Sequence, residues 1–98
     1  MSPWEKIVET YDKSESAEAL STALDFNLTH GFVFSRPDFF IMGRPDGDCW
    51  FIEAMAGDMA KAWAILPYEL PFISWYRFDN VLRKVPLSVV KRLTYHAA

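Results

Sequence analysis

Cys49, His30 and His96 are the side chains of this 98-residue chain best suited to chemistry. A thiol ionises near neutral pH only beside an imidazole or in a positive field. Cys49 stands in the apolar run Cys49-Trp50-Phe51-Ile52, where cysteine acts as a small hydrophobe. His30 falls at the end of a helical pattern and suits a C-terminal cap, while His96 lies where a chain end frays. Their spacing is not that of metal ligands. Asp46, Asp48 and Glu53 are carboxylates near one end of a sheet, but Asp46-Gly47-Asp48 lacks further oxygen ligands at calcium-loop spacing and reads as a solvated hairpin. Gly57 precedes a helix, where free amides attract phosphate, yet Asp58 at the cap occupies those amides and repels an anion. No catalytic, cofactor-binding or metal-ligating residue is assigned, no cofactor is expected, and an enzyme is not the favoured reading.

The aromatic residues carry a different signal. The chain holds 8 Phe, 4 Tyr and 4 Trp, more rings than a small interior takes up, so some are expected at the surface as a binding patch. The segment Pro67-Tyr68-Glu69-Leu70-Pro71-Phe72, followed by Trp75 and Tyr76, is the strongest interface candidate. Its two prolines hold it extended and lower the entropy lost on ordering, and Tyr, Phe and Trp are residue types that carry binding energy. Tyr68, Leu70, Pro71, Phe72, Trp75 and Tyr76 are therefore expected to meet a protein partner, a second copy in a homodimer above all.

The elements that position these residues follow from periodicity. Ser2-Pro3 starts a helix with Trp4, Ile7, Val8 and Tyr11 on one face, and Ala17, Leu20, Leu24 and Leu28 mark a second ending near His30 and Gly31. Three strands follow at 32–34, 39–42 and 49–52, rich in aromatic and β-branched residues. Arg-Pro-Asp occurs between them twice, at 36–38 and 44–46, and reads as turn chemistry used twice. The second and third strands lack alternation, which predicts that both their faces are covered. Asp58 caps a third helix with Met59, Ala62, Trp63 and Leu66 on one face, stopped by Pro67. Residues 72–78 and 81–85 form two further strands around an Asp79-Asn80 turn, and Pro86 opens a last helix with Leu87, Val90 and Leu93. The reading is one α+β domain over residues 1–98, helices covering a mainly antiparallel sheet of about five strands in the order ααβββαββα.

That order resembles the core of the GNAT acetyltransferases over most of the chain. The resemblance implies an acyl-CoA cleft beside the third strand and third helix. The family carries a basic or amide residue and small residues in the loop entering its central helix, where this chain reads Ala54-Met55-Ala56-Gly57-Asp58-Met59; a relative with weakened or lost acyl-CoA binding is the enzyme alternative. A third alternative is a nucleic-acid accessory protein using Arg83, Lys84, Lys91 and Arg92, with Tyr76 and Tyr95 for stacking, although nucleic acid is not the expected partner of a chain with net charge −3.

Composition bounds the rest. Hydrophobic residues form 51% and charged residues 23%, the profile of a folding sequence. No apolar run spans a bilayer, and Glu5, Lys6, Glu9 and Asp12 interrupt the place of a signal peptide, so neither a membrane nor export is expected. A lone cysteine fits the cytoplasm. Acidic residues concentrate in the first 31 positions and basic ones in the last 20.

Overall fold

A computed structural model describes residues 1–76 and 80–97 and, in the final helix, side chains as far as Arg92. The elements are α1 (Pro3–Ser14), α2 (Ala17–His30), β1 (Phe32–Ser35), β2 (Phe39–Asp46), β3 (Cys49–Gly57), α3 (Met59–Ala64), β4 (Phe72–Tyr76), β5 (Leu82–Pro86) and α4 (Leu87–Ala97). This is the α+β order read from the sequence. The five strands lie in chain order, with every neighbouring pair antiparallel except β3 and β4, which run parallel because the α3 crossover joins them. No helix among the described residues is long and apolar enough to cross a membrane.

Capping fixes the helix starts. The Ser2 hydroxyl accepts from the Glu5 amide at 3.1 Å, with Pro3 in the first turn, and the Ser16 hydroxyl accepts from the Ala19 amide at 3.0 Å. The Asp58 carboxylate accepts from the Lys61 amide and starts α3.

β2 separates two cores. Phe39 and Ile41 face α3 and α4 with Ile52, Trp63, Leu66, Ile73 and Leu87. Phe40 and Met42 face α1 and α2 with Ile7 and Leu20. Both faces of β2 are thus covered, which is why its sequence lacks alternation. Leu28, expected on the core face of α2, is exposed, and Asn27 is fully buried in its stead.

The repeated Arg-Pro-Asp serves two purposes rather than one. The first copy turns the chain, its Arg36 amide donating to the Phe39 carbonyl at 2.8 Å. The second lies inside β2, paired with Phe51, Trp50 and Cys49, and only residues 47–48 form the turn. Pro45 is tolerated because β1 begins at Phe32, opposite Gly43, leaving the stretch of β2 beyond Gly43 an open edge where a missing N–H is not felt. β3 also runs past its expected end at Ile52. Residues read as the loop into α3, Ala54 to Gly57, pair with Phe39–Met42. The Asp79 half of the expected β4–β5 turn lies outside the described residues, as do Arg77 and Phe78; Asn80 has the positive φ of 58° that such a turn uses.

Candidate ligand cleft and its aromatic rim

One irregularity in β3 lies beside a cavity between β3 and β4. Met42 pairs with Ala54 and Gly43 with Ile52, so Glu53 is an extra residue without a partner on β2, a β-bulge. A bulge bends its strand, and pairing between β3 and β4 lasts for three positions only, ending at Phe51↔Ser74. Beyond them the strands diverge around a cleft of about 490 Å³, within the size range of small-molecule and peptide pockets. Its floor is Ile52 and Ile73; β3 contributes Glu53, Ala54 and Met55; β4 contributes Trp75 and Tyr76; and Met59, Trp63 and Val90 close it from the helices. Among the described residues of that lining, Glu53 is the one that carries a charge.

Glu53 is oriented from behind. The Arg44 guanidinium donates to Glu53 Oε1 at 3.2 Å and to Asn27 Oδ1 at 3.1 Å, while Asn27 Nδ2 donates to the Ala23 carbonyl at 2.8 Å. The same guanidinium lies 4.8 Å from the Phe26 ring centroid and 4.7 Å from that of Phe51, so it is stacked between two rings. Tyr11 is pushed up to about 12 by burial first and then by the negative charges of Glu53 and Glu15.

The side of the sheet facing α1 and α2 is only partly covered. Those helices pack on β1, β2 and β3. Alternation puts Phe72, Tyr76, Leu82 and Lys84 on the less covered remainder, with Phe51 and Ser74 on the same side but buried, and the Phe51 and Tyr76 rings meet edge to face at 5.9 Å. Tyr76 is 59% and Leu82 49% exposed. Cys49 is buried beside this surface. Burial above all, then the neighbouring Asp48 carboxylate, raises its thiol pKa, the reverse of what a nucleophile requires.

The six expected interface residues are not brought together on one surface. Tyr76 and Trp75 flank the cleft but belong to opposite faces of β4, since successive strand residues alternate. Phe72 is half-buried beneath the Lys84 ammonium, 4.4 Å from its ring. Tyr68 lies in the loop beyond α3, 60% exposed, with the Lys91 ammonium 4.6 Å from its ring centroid; Pro71 is exposed and Leu70 half-buried. That loop is tied down rather than presented, because Trp50 Nε1 donates to the Pro67 carbonyl, Lys91 Nζ to that of Leu66 and the Leu87 amide to that of Pro71. Lys84 is held by Asp48 at 3.0 Å and Lys91 by the Leu66 carbonyl, so both of these basic side chains considered for nucleic acid have partners in the fold. Tyr95 and His96 have side chains outside the described set.

The three carboxylates also go separate ways: Glu53 to Arg44, Asp48 to Lys84, and Asp46 to the end of β2. Among the described residues no three His, Cys, Asp or Glu side chains gather as a metal site. A second hollow, about 450 Å³, runs along α1 between Trp4, Val8 and Asp12 and is lined by that helix alone.

Asn27, Arg44 and Glu53 were not singled out together by sequence. The available signal was Asn27 at i+7 from Leu20, a polar residue on an apolar face, which requires a buried partner. Comparison with protein-family models, curated proteins and solved structures finds no match to the chain.

Proposed function

We propose that the chain is a cytoplasmic protein-interaction module that receives an extended, largely apolar segment of a partner in the β3–β4 cleft. The observation that carries this reading is the divergence of two parallel strands after Phe51↔Ser74 into a cavity lined by Met55, Met59, Trp63, Trp75 and Tyr76. Strand-shaped ligands gain main-chain hydrogen bonds beside an unpaired strand, and aromatic and methionine side chains adapt to varied apolar residues. The uncovered half-sheet around Tyr76 and Leu82 supports self-association as part of the same role.

Selection from a displayed library of random peptides tests the cleft. Recovered peptides are expected to bind the wild type and to lose at least tenfold in affinity on Met59→Trp, where a larger ring at the exposed start of α3 fills the mouth. No enriched peptide, or peptides indifferent to that substitution, would remove the reading.

Acyl-CoA binding is the second reading, favoured by the position of the cleft beside β3 and α3, as in the acetyltransferase resemblance. Against it, the amide end of α3 is already capped by Asp58, and Lys61 is paired with Asp38 at 2.5 Å. A ligand at a hundred times its dissociation constant adds about 2.7 kcal/mol of stability. An unchanged melting temperature in millimolar acetyl-CoA would therefore exclude it.

A further inference from the structure

We infer that β1 is a docking edge, on which a β-strand of another protein pairs with Val33 and Ser35, lays apolar side chains on both faces, and sets a carboxylate against Arg36. This surface is separate from the β3–β4 cleft and stands without it. Among the described residues β1 closes one side of the sheet and pairs with β2 alone. The Arg36 amide bonds the Phe39 carbonyl, and bonded pairs alternate along an antiparallel ladder, so Phe34 and Phe32 bond inward to Ile41 and Gly43. Val33 and Ser35 therefore turn their N–H and C=O groups outward. Such an edge is a template for another strand unless charge or proline blunts it. β5, the opposite edge, carries Arg83, Lys84 and Pro86, whereas β1 reads Phe32-Val33-Phe34-Ser35.

The edge is apolar on both faces. Toward α3, Phe32 and Phe34 are half-buried with ring centroids 5.8 Å apart, and Phe32 meets Trp50 edge to face. On the other face, Phe26 and Leu28 stand about 100° to either side of the buried Asn27 around α2. Arg44 lies between the rings of Phe26 and Phe51, which turns the Phe26 flank toward β3 and the Leu28 flank toward β1. Leu28 is 64% exposed, which fits a side chain that overhangs the edge. A strand laid on β1 would place alternate side chains beneath Leu28 and against Phe32 and Phe34. Arg36 gives the occupant its charge. It is exposed at the end of β1 with its guanidinium 5.4 Å from the Phe34 ring centroid, where a carboxylate gains a charge-assisted hydrogen bond. A second copy of β1 would bring none, because residues 30–36 hold His30 and Arg36 and no acid.

Selection from a displayed library of random peptides on Met59→Trp, where the cleft is filled, tests the edge apart from the cleft. Enriched peptides are expected to alternate in apolar residues and to share an aspartate or glutamate at a fixed position. Amide exchange should find Val33 and Ser35 protected in the complex and unprotected in the free chain. Val33→Pro removes a donor that no ladder bond of the fold uses, and Leu28→Lys places a charge over the edge from an exposed site; each is expected to cost about tenfold in affinity, with circular dichroism melts to check the fold. Should Val33→Pro unfold, Leu28→Lys and the exchange data decide. Selection on Arg36→Glu should turn the acidic position basic. No enriched peptide, peptides indifferent to both substitutions, or Val33 and Ser35 already protected in the free monomer would overturn the edge. Peptides without the acidic position would overturn the carboxylate, and protection that arises on self-association without peptide would overturn the foreign strand in favour of a second copy.

Discussion

Arg44 reaches Glu53 across the β2–β3 hairpin at 3.2 Å, joining the strand that carries the chain's second Arg-Pro-Asp to the one residue of β3 that has no cross-strand partner. The bulge is thereby tied to α2, through Asn27, as well as to the sheet. The shape of the cleft consequently depends on a side chain that does not line it.

Replacing Arg44 should therefore damage more than one contact. Arg44→Ala leaves the buried Asn27 oxygen without its donor, Glu53 without its partner, and two rings without the cation between them. A loss of about 2 kcal/mol is expected, since an unsatisfied buried polar group alone costs about 1–3 kcal/mol. Arg44→Lys should recover only part of it, because an ammonium cannot stack flat and bond two acceptors at once. Urea unfolding of both variants checks the order, and equal stability of Arg44→Ala and wild type would sink it.

Tyr11 gives a pH signature at the alkaline end. Its folded pKa of about 12 lies above the ordinary value of 10.0, so the folded protein holds the phenol proton more tightly than the unfolded chain does. The stability linked to that proton is whole below pH 10 and is lost as pH rises from about 10 to 12. Tyrosinate absorbance should show one late-titrating phenol that Tyr11→Phe removes, and its absence from the wild-type titration would contradict the placement.

Two glycines should respond unequally to alanine. Gly47 has φ +63° with open space around it, so Gly47→Ala is expected to cost about 1 kcal/mol from backbone strain alone. Gly57 has φ +92°, and a methyl there would run into the Asp38 carbonyl and Phe39 Cα, next to the Asp58 amide that bonds Asp38. Thermal melts should find Gly57→Ala the more damaging by several-fold; comparable costs would mean the α3 junction is looser than described.

Self-association through the uncovered half-sheet predicts a dimer by light scattering across a hundredfold concentration range. The pair Tyr76→Lys and Leu82→Lys should convert it to monomer without lowering the melting temperature of the fold by more than a few degrees, because both side chains are exposed. A wild type that is monomeric throughout would confine the aromatic surface to other partners.

Much of this architecture was legible from local signals. Ser2-Pro3, Ser16 and Asp58 mark helix starts through the hydrogen bonds they make, the apolar positions of α1 follow the helical period, and the unbroken apolar run of β2 marks a strand covered on both faces. What escaped was non-local. Arg44-Pro45-Asp46 carries the turn residues of Arg36-Pro37-Asp38, and only pairing with Phe51, Trp50 and Cys49 on β3 keeps the second copy in the strand. Ala54 to Gly57 look like a loop because small residues have weak strand preference, yet pairing with Phe39–Met42 extends them. A cleft beside the third strand follows only from the acetyltransferase resemblance, and Glu53 reads in the sequence as one acid among several. Trp75 and Tyr76 were read as one surface; the two-residue period of a strand puts them on opposite sides of the same wall.

The three-position ladder between β3 and β4 also divides the sheet mechanically. On one side lie two helices and three strands paired over long registers; on the other, β4, β5 and α4 form a compact unit continuous in sequence. α3 packs against both, against β2 and β3 on one side and α4 on the other, and so acts as a clasp. Amide exchange should accordingly be fastest along that seam, and two fragments separated within the connection that holds α3 are expected to reassociate into the native sheet.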